Sequence, residues 1–143
     1  MELDGIVLVT GKALLQEEIP DWLDKGHIFA QPCCWSHDND VDGIPRSLME
    51  AMAVGLPSIS THIAGIPDLV QNEKTGLLIE PKDPLALANA IEQLINNHSI
   101  AKSISEGGRA HVQKHFNLET CLRPLCDIFR SKITPEKHPL LKH

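Results

Sequence analysis

Asp42 and Glu50 are the residues best placed to do chemistry. They stand in Asp42-Gly-Ile-Pro-Arg-Ser-Leu-Met-Glu50, with seven residues between them. Between the acids lie the N–H groups of Gly43 and Ile44 and the start of a helix. The first N–H groups of a helix have no partner inside it and attract anions, phosphate above all. An acid beside such a site suits hydrogen bonds from sugar hydroxyls, because it would repel the phosphate itself. Phosphate at the helix end and hydroxyls on the acids together describe a sugar nucleotide. A plainer reading has Asp42 capping the helix and Glu50 solvated, and the local residues leave both open.

The stretch from Asp42 to Pro57 reads as loop, helix, turn and strand entry. Pro45 suits the first helical position, where a missing N–H costs nothing. Ser47 to Ala53 holds no glycine or proline and is rich in Leu, Met, Glu and Ala, all good helix formers. Gly55 suits a left-handed residue ending the helix, and Pro57 can open a strand. Leu48, Ala51 and Met52 read as core.

Around this stretch, apolar runs alternate with helical patterns. Ile6 to Thr10 and His27 to Gln31 read as buried strands, the second stopped by Pro32. Glu17 to Lys25 reads as a short helix with Ile19, Trp22 and Leu23 on one face. Cys33 to Val41 is a polar loop. Its acids and His37 match no zinc or calcium spacing, so a loop at a strand's carboxyl end is the better reading. Ser58 to Thr61 and Leu77 to Glu80 complete four strands. Pro67 opens a short helix after the tight loop Ala64-Gly-Ile-Pro67. Asp83-Pro84 starts a helix with Leu87, Ile91, Leu94 and Ile95 on its apolar face. Ile100, Ile104, Val112 and Phe116 mark another, weakened near Gly107-Gly108. Asn117 caps a last helix from Leu118 to about Ser131, kinked at Pro124. Strands alternating with helices imply a parallel sheet covered on both faces.

The wider sequence resembles a known family. Asp-Gly-Ile-Pro-x-x-Leu-Met-Glu-Ala-Met-Ala-x-Gly-Leu-Pro is followed by Ser60-Thr-His-Ile-Ala-Gly-Ile-Pro-Asp-Leu-Val70 and Thr75-Gly-Leu-Leu-Ile-Glu-Pro81. This is similar to the retaining GT-B glycosyltransferases of group 1 (GT4-like), whose hallmark is an acid, seven residues, then a glutamate. The likeness runs from about Gly11 to Phe116. It implies an α/β fold: a Rossmann-like, doubly wound parallel sheet with C-terminal helices. Residues 1–133 would be the later part of the second, donor-binding domain, and 134–143 a frayed tail.

The resemblance also implies roles. Glu50 would accept hydrogen bonds from the ribose of a nucleotide sugar, and Asp42 would contact the transferred sugar. The family more often has glutamate at 42, and the shorter side chain sets that carboxylate back by one methylene. Gly43 and Ile44 would lend backbone N–H groups, and Pro45 would fix the helix start. Lys12 and Ala13 would lie near the nucleobase, unless Lys12 is simply solvated. Arg46 would either reach the diphosphate or lie on the surface. The reaction implied moves a hexose from a donor such as a UDP- or GDP-hexose to a hydroxyl, with retained configuration and with no metal or other cofactor. The acceptor, a sugar or a lipid-linked sugar, belongs to an N-terminal domain that nothing here resembles. The family's Arg and Lys, which neutralise the diphosphate, also have no match, so the 143 residues alone are expected not to catalyse transfer. Two other readings stand beside this one. One is a non-catalytic truncated relative serving as a nucleotide-binding or protein-interaction module. The other is a GT-B-fold enzyme of another class, such as an epimerase.

Composition excludes other classes. The net charge is −6 with no basic block, which removes a nucleic-acid footprint. No run approaches the ~20 apolar residues of a membrane span. Glu2 and Asp4 stand where a signal peptide would carry basic residues. The four cysteines include no CxxC pair, which suits a reduced compartment. The motifs are similar to those of polysaccharide and lipopolysaccharide assembly. That implies a bacterial cytoplasmic protein, with the full-length form working at the inner face of the membrane.

Overall fold

Among the described residues, Ser58–Thr61 (β2) is the middle of three parallel strands, flanked by Phe29–Gln31 (β1) and Leu77–Ile79 (β3). Phe29 stands opposite Ser58, and Thr61 opposite Ile79. The structure, a computed structural model, describes residues 14–35 and 43–132. The strand expected at 6–10, Lys12, Ala13, Asp42, most of the polar loop before it and the tail after Ile133 lie outside the described residues.

The helices follow the alternation. A 3-10 turn at Gln16–Glu18 leads into α1 (Ile19–Leu23), and Glu18 Oε2 accepts from the Leu15 N–H at 2.8 Å. Then come α2 (Arg46–Val54), α3 (Ile66–Leu69), α4 (Pro84–Asn96), α5 (His98–His115) and α6 (Leu118–Lys132). Asp83 caps α4 by accepting from the Ala86 N–H at 2.8 Å, and Asn97 caps α5 through Ile100 at 3.1 Å. Asn117 does the same for α6 through Thr120 at 2.8 Å. In each case a short polar side chain takes one of the helix's orphan donors.

Every residue of β2 is buried, although three of its four carry hydroxyls. They are accepted because each hydroxyl has a partner. Ser58 donates to the Leu56 carbonyl at 2.9 Å, Ser60 to the Gln31 carbonyl at 2.8 Å and Thr61 to the Cys33 carbonyl at 2.7 Å. The last two bonds fix the chain as it leaves β1 toward the polar loop.

Alternate strand residues feed two cores. On one face Leu48, Met52, Ile66, Leu69 and Val112 cluster with Phe29 and Leu78; on the other Ile59 and Leu77 pack with Ala90, Leu94 and Ile104. Each fully buried Leu, Ile, Met or Val among these contributes about 1.5–3 kcal/mol. α2 lies along α5 with Leu48, Ala51 and Met52 buried, as their spacing predicts.

Several expectations are corrected in detail. Pro45 is the N-cap of α2, not its first helical residue; its φ of −63° suits either place, but its ψ of 127° is extended. Pro67 is the second residue of α3, after Ile66. Pro57 sits just before β2 and accepts from the Phe29 N–H at 3.0 Å. Ile95 is 56% exposed, and Ala90 joins the buried face of α4 instead. Gly107 and Gly108 do not interrupt α5. A Cβ at 108 would lie 2.7 Å from the Thr75 carbonyl oxygen, and one at 107 would collide with that of Lys74, so these glycines let the helix meet a turn. Gly55 ends α2 with φ 92°, as expected.

Candidate functional site

The sheet's carboxyl edge carries the loop that opens α2. Three hydrogen bonds set this loop. The Gly65 N–H donates to the Gly43 carbonyl at 3.1 Å, and Met49 N–H to the Pro45 carbonyl at 3.2 Å. Ser47 Oγ donates to Gln31 Oε1 at 2.9 Å, which ties the first turn of α2 to the end of β1. Gly65 is needed here for space: a Cβ on it would lie 2.9 Å from Ile44 Cγ1. Gly43 is the opposite case, since among the described residues nothing lies within 4 Å of where its Cβ would be.

Unlike α4 and α5, α2 has no side-chain cap. Its N-cap is Pro45, which has no side-chain acceptor, and its first turn holds no acid. Among the described residues none caps the start of α2 with a side chain, and the positive end of the helix dipole there favours an anion.

Glu50 lies four residues into the helix, about 6 Å along its axis from Arg46. Its side chain is 29% exposed, and Arg46 Nε approaches its Oε1 at 3.3 Å. Glu50 also borders a pocket of about 200 Å³ between α1 and α2, lined by Gln16, Ile19, Pro20, Leu23, Ala53 and Val54. The loop of Gly43 and Ile44 thus stands at the start of α2, and Glu50 with its apolar hollow about one turn further along the helix. Such an arrangement suits a ligand with an anionic group, a hydroxylated middle and an apolar or aromatic end.

Of the expected site residues, the structure places Gly43, Ile44 and Pro45 at the entry to α2 and Glu50 about one turn inside it. Asp42, Lys12 and Ala13 lie outside the described residues. Two contributors went unread in the sequence. The Arg46–Glu50 pair had a visible signal, opposite charges four apart on a helix. The Ser47–Gln31 bond had none, because it joins residues far apart in the chain. Among the described residues, no group of three or more His, Cys, Asp or Glu side chains is arranged to hold a metal. Cys34, Cys121 and Cys126 form no disulfide.

Comparison with known proteins bears on the family and the fold. The family model for Glycosyl transferases group 1 matches residues 2–97. The amylovoran biosynthesis glycosyltransferase AmsK of Erwinia amylovora is 39% identical over 113 residues, covering 79% of this chain and 28% of its own. A GDP-mannose-dependent alpha-(1-6)-phosphatidylinositol monomannoside mannosyltransferase of Mycobacterium tuberculosis is 30% identical over 115 residues, 80% of this chain and 30% of its own. The chain therefore spans under a third of the length of these relatives. In fold it is similar to Anabaena Alr3699/HepE in complex with UDP-glucose, with a TM-score of 0.71 at 22% identity, over 80% of this chain and 30% of that one. The chain belongs to the group 1 glycosyl transferases, with the parallel α/β sheet of GT-B enzymes.

Proposed function

We propose that this chain is the donor-binding portion of a retaining glycosyltransferase, one that moves a hexose from a nucleotide sugar to a hydroxyl in polysaccharide or glycolipid assembly. The observation that carries this reading is the placement of Glu50. It is a half-buried carboxylate one turn inside a helix that no described side chain caps, at the rim of a hollow large enough to hold part of a base. The diphosphate rests on the start of α2, over Gly43 and Ile44. Glu50 accepts from the ribose hydroxyls, and Asp42 orients the transferred hexose. As the sugar's bond to the diphosphate breaks, negative charge grows on the leaving oxygens. The α2 N–H groups meet part of that charge. The rest falls to basic residues outside these 143 residues, and no metal is called for.

The acceptor, a sugar or a lipid-linked sugar, is held by polypeptide beyond this chain. The work takes place in the cytoplasm, at the inner face of the membrane. No described helix is long and apolar enough to cross a membrane. A second reading, a non-catalytic binding or interaction module, draws support from α6, where Leu118, Leu122, Leu125, Ile128 and Phe129 are exposed.

Calorimetric titration of the chain with UDP and with GDP tests the donor site. Binding of one of them is expected, with loss of at least tenfold in Glu50→Ala, the size of about 1.4 kcal/mol. Equal affinity in the two proteins sinks the assignment of Glu50. A turnover assay with UDP-glucose and GDP-mannose is expected to show no acceptor-dependent nucleotide release from the chain alone. Robust release would overturn the view that residues from outside it are required.

A further inference from the structure

Arg46 stands against the electrostatics of its own helix. It is the first residue of α2, where the dipole's positive end disfavours a cation. Its order with Glu50, base before acid, is also the weaker one for a pair four apart. The side chain is 71% exposed, so the ion pair contributes little to stability. Packing does not account for Arg46 either, since it belongs to neither core cluster. Its side-chain partner among the described residues is Glu50, and a direct reach to the diphosphate would change all nucleotide affinities together, which a ratio of ribose to deoxyribose binding separates.

A carboxylate at a pocket rim turns about its own bonds unless something holds it. An ionised carboxylate offers about four lone-pair directions on two oxygens. Arg46 Nε engages Oε1 at 3.3 Å, which leaves Oε2 to accept from a ligand. A planar guanidinium restrains the orientation of its partner more than a point charge does. We infer that Arg46 is a positioning residue, holding the Glu50 carboxylate in the orientation that receives the ribose diol of a nucleoside diphosphate. This inference rests on the reading of Glu50 as the ribose acceptor.

The readout must be specific to the ribose. Affinities of the chain for UDP, GDP and their 2′-deoxy counterparts give a ratio of ribose to deoxyribose binding. A merely structural role for Arg46 would change all affinities together and leave the ratio alone. Arg46→Ala is expected to shrink the ratio by about three- to fivefold, as the loss of a modest charge-assisted restraint would. Arg46→Lys keeps the charge without the planar fork and is expected to fall between the two. Glu50→Ala is expected to bring the ratio close to one. An Arg46→Ala ratio equal to or above that of the unsubstituted chain, beside a collapsed ratio in Glu50→Ala, overturns the role of Arg46 and leaves Glu50 standing. An unchanged ratio in Glu50→Ala, or no binding of any of the four nucleotides, removes the reading of Glu50 and this inference with it. Melting curves of the variants confirm that each is folded.

Discussion

The Gly65 N–H donates to the Gly43 carbonyl at 3.1 Å, joining the loop after β2 to the loop that opens α2. The two glycines have opposite surroundings, so they separate scaffold from site. A methyl group on Gly65 meets Ile44 Cγ1 at 2.9 Å and the Gly43 carbonyl oxygen at 3.1 Å. Its φ of −84° suits alanine, so the clash alone sets the cost. Gly65→Ala is expected to lose about 1–3 kcal/mol, the usual cost of overpacking. Among the described residues Gly43→Ala meets nothing within 4 Å, and it is expected to melt like the unsubstituted chain while binding nucleotide more weakly. Thermal melts and titrations of both variants check this. Equal melting losses in the two would break the distinction.

Thr61 holds the exit of β1. Its buried hydroxyl donates to the Cys33 carbonyl at 2.7 Å, from the strand beside it. Thr61→Val keeps the shape and leaves that carbonyl without this donor. The expected loss is about 0.5–1.5 kcal/mol, the net contribution of one hydrogen bond. In urea the midpoint should fall with the slope unchanged, since the folded surface is the same. A variant as stable as the parent would mean that water or another donor replaces the hydroxyl.

Much of this was legible before the structure, and the reasons differ by element. β2 was read to its residue limits, because Gly55 and Pro57 before it and the tight loop after it punctuate the chain. The α2 core residues followed from spacing alone. The role of Gly107 and Gly108 was not legible: a pair of glycines in a helical pattern looks like weakness until the carbonyls of Lys74 and Thr75 are seen against them. Ile95 misled for a related reason. It fits the period of α4, yet the smaller Ala90 faces the sheet. In the site, Glu50 and the loop before it were readable from one stretch of chain. The hollow beside Glu50 was not, because α1 closes it from a separate part of the sequence.

Ala64 carries φ 48°, a left-handed conformation that costs a residue with a Cβ about 1–2 kcal/mol. Glycine removes that cost but adds about 0.5–1 kcal/mol of unfolded-state freedom. Strain outweighs entropy on these figures. Ala64→Gly is expected to raise stability by about 0.5–1 kcal/mol, seen as a higher urea midpoint. A lower midpoint would mean that the alanine methyl makes a contact worth more than the strain.

Gly108 sets two larger effects against each other. Alanine is the better helix former by about 1 kcal/mol in a helix interior. Against that, a Cβ at 108 would lie 2.7 Å from the Thr75 carbonyl oxygen and 3.4 Å from Met52 Cε. The methionine end can move, but the carbonyl cannot move freely. Thr75 is buried, and its side-chain oxygen accepts from the Gln71 N–H at 2.8 Å, so its turn is pinned. Overpacking of this kind costs about 1–3 kcal/mol, enough to exceed the gain in propensity. Gly108→Ala is therefore expected to lower the melting temperature. Ser103→Ala, on the exposed side of α5, gains propensity with no such contact and should raise it slightly. A rise in both variants would show that the turn at Thr75 yields, and that α5 does not need glycine to reach it.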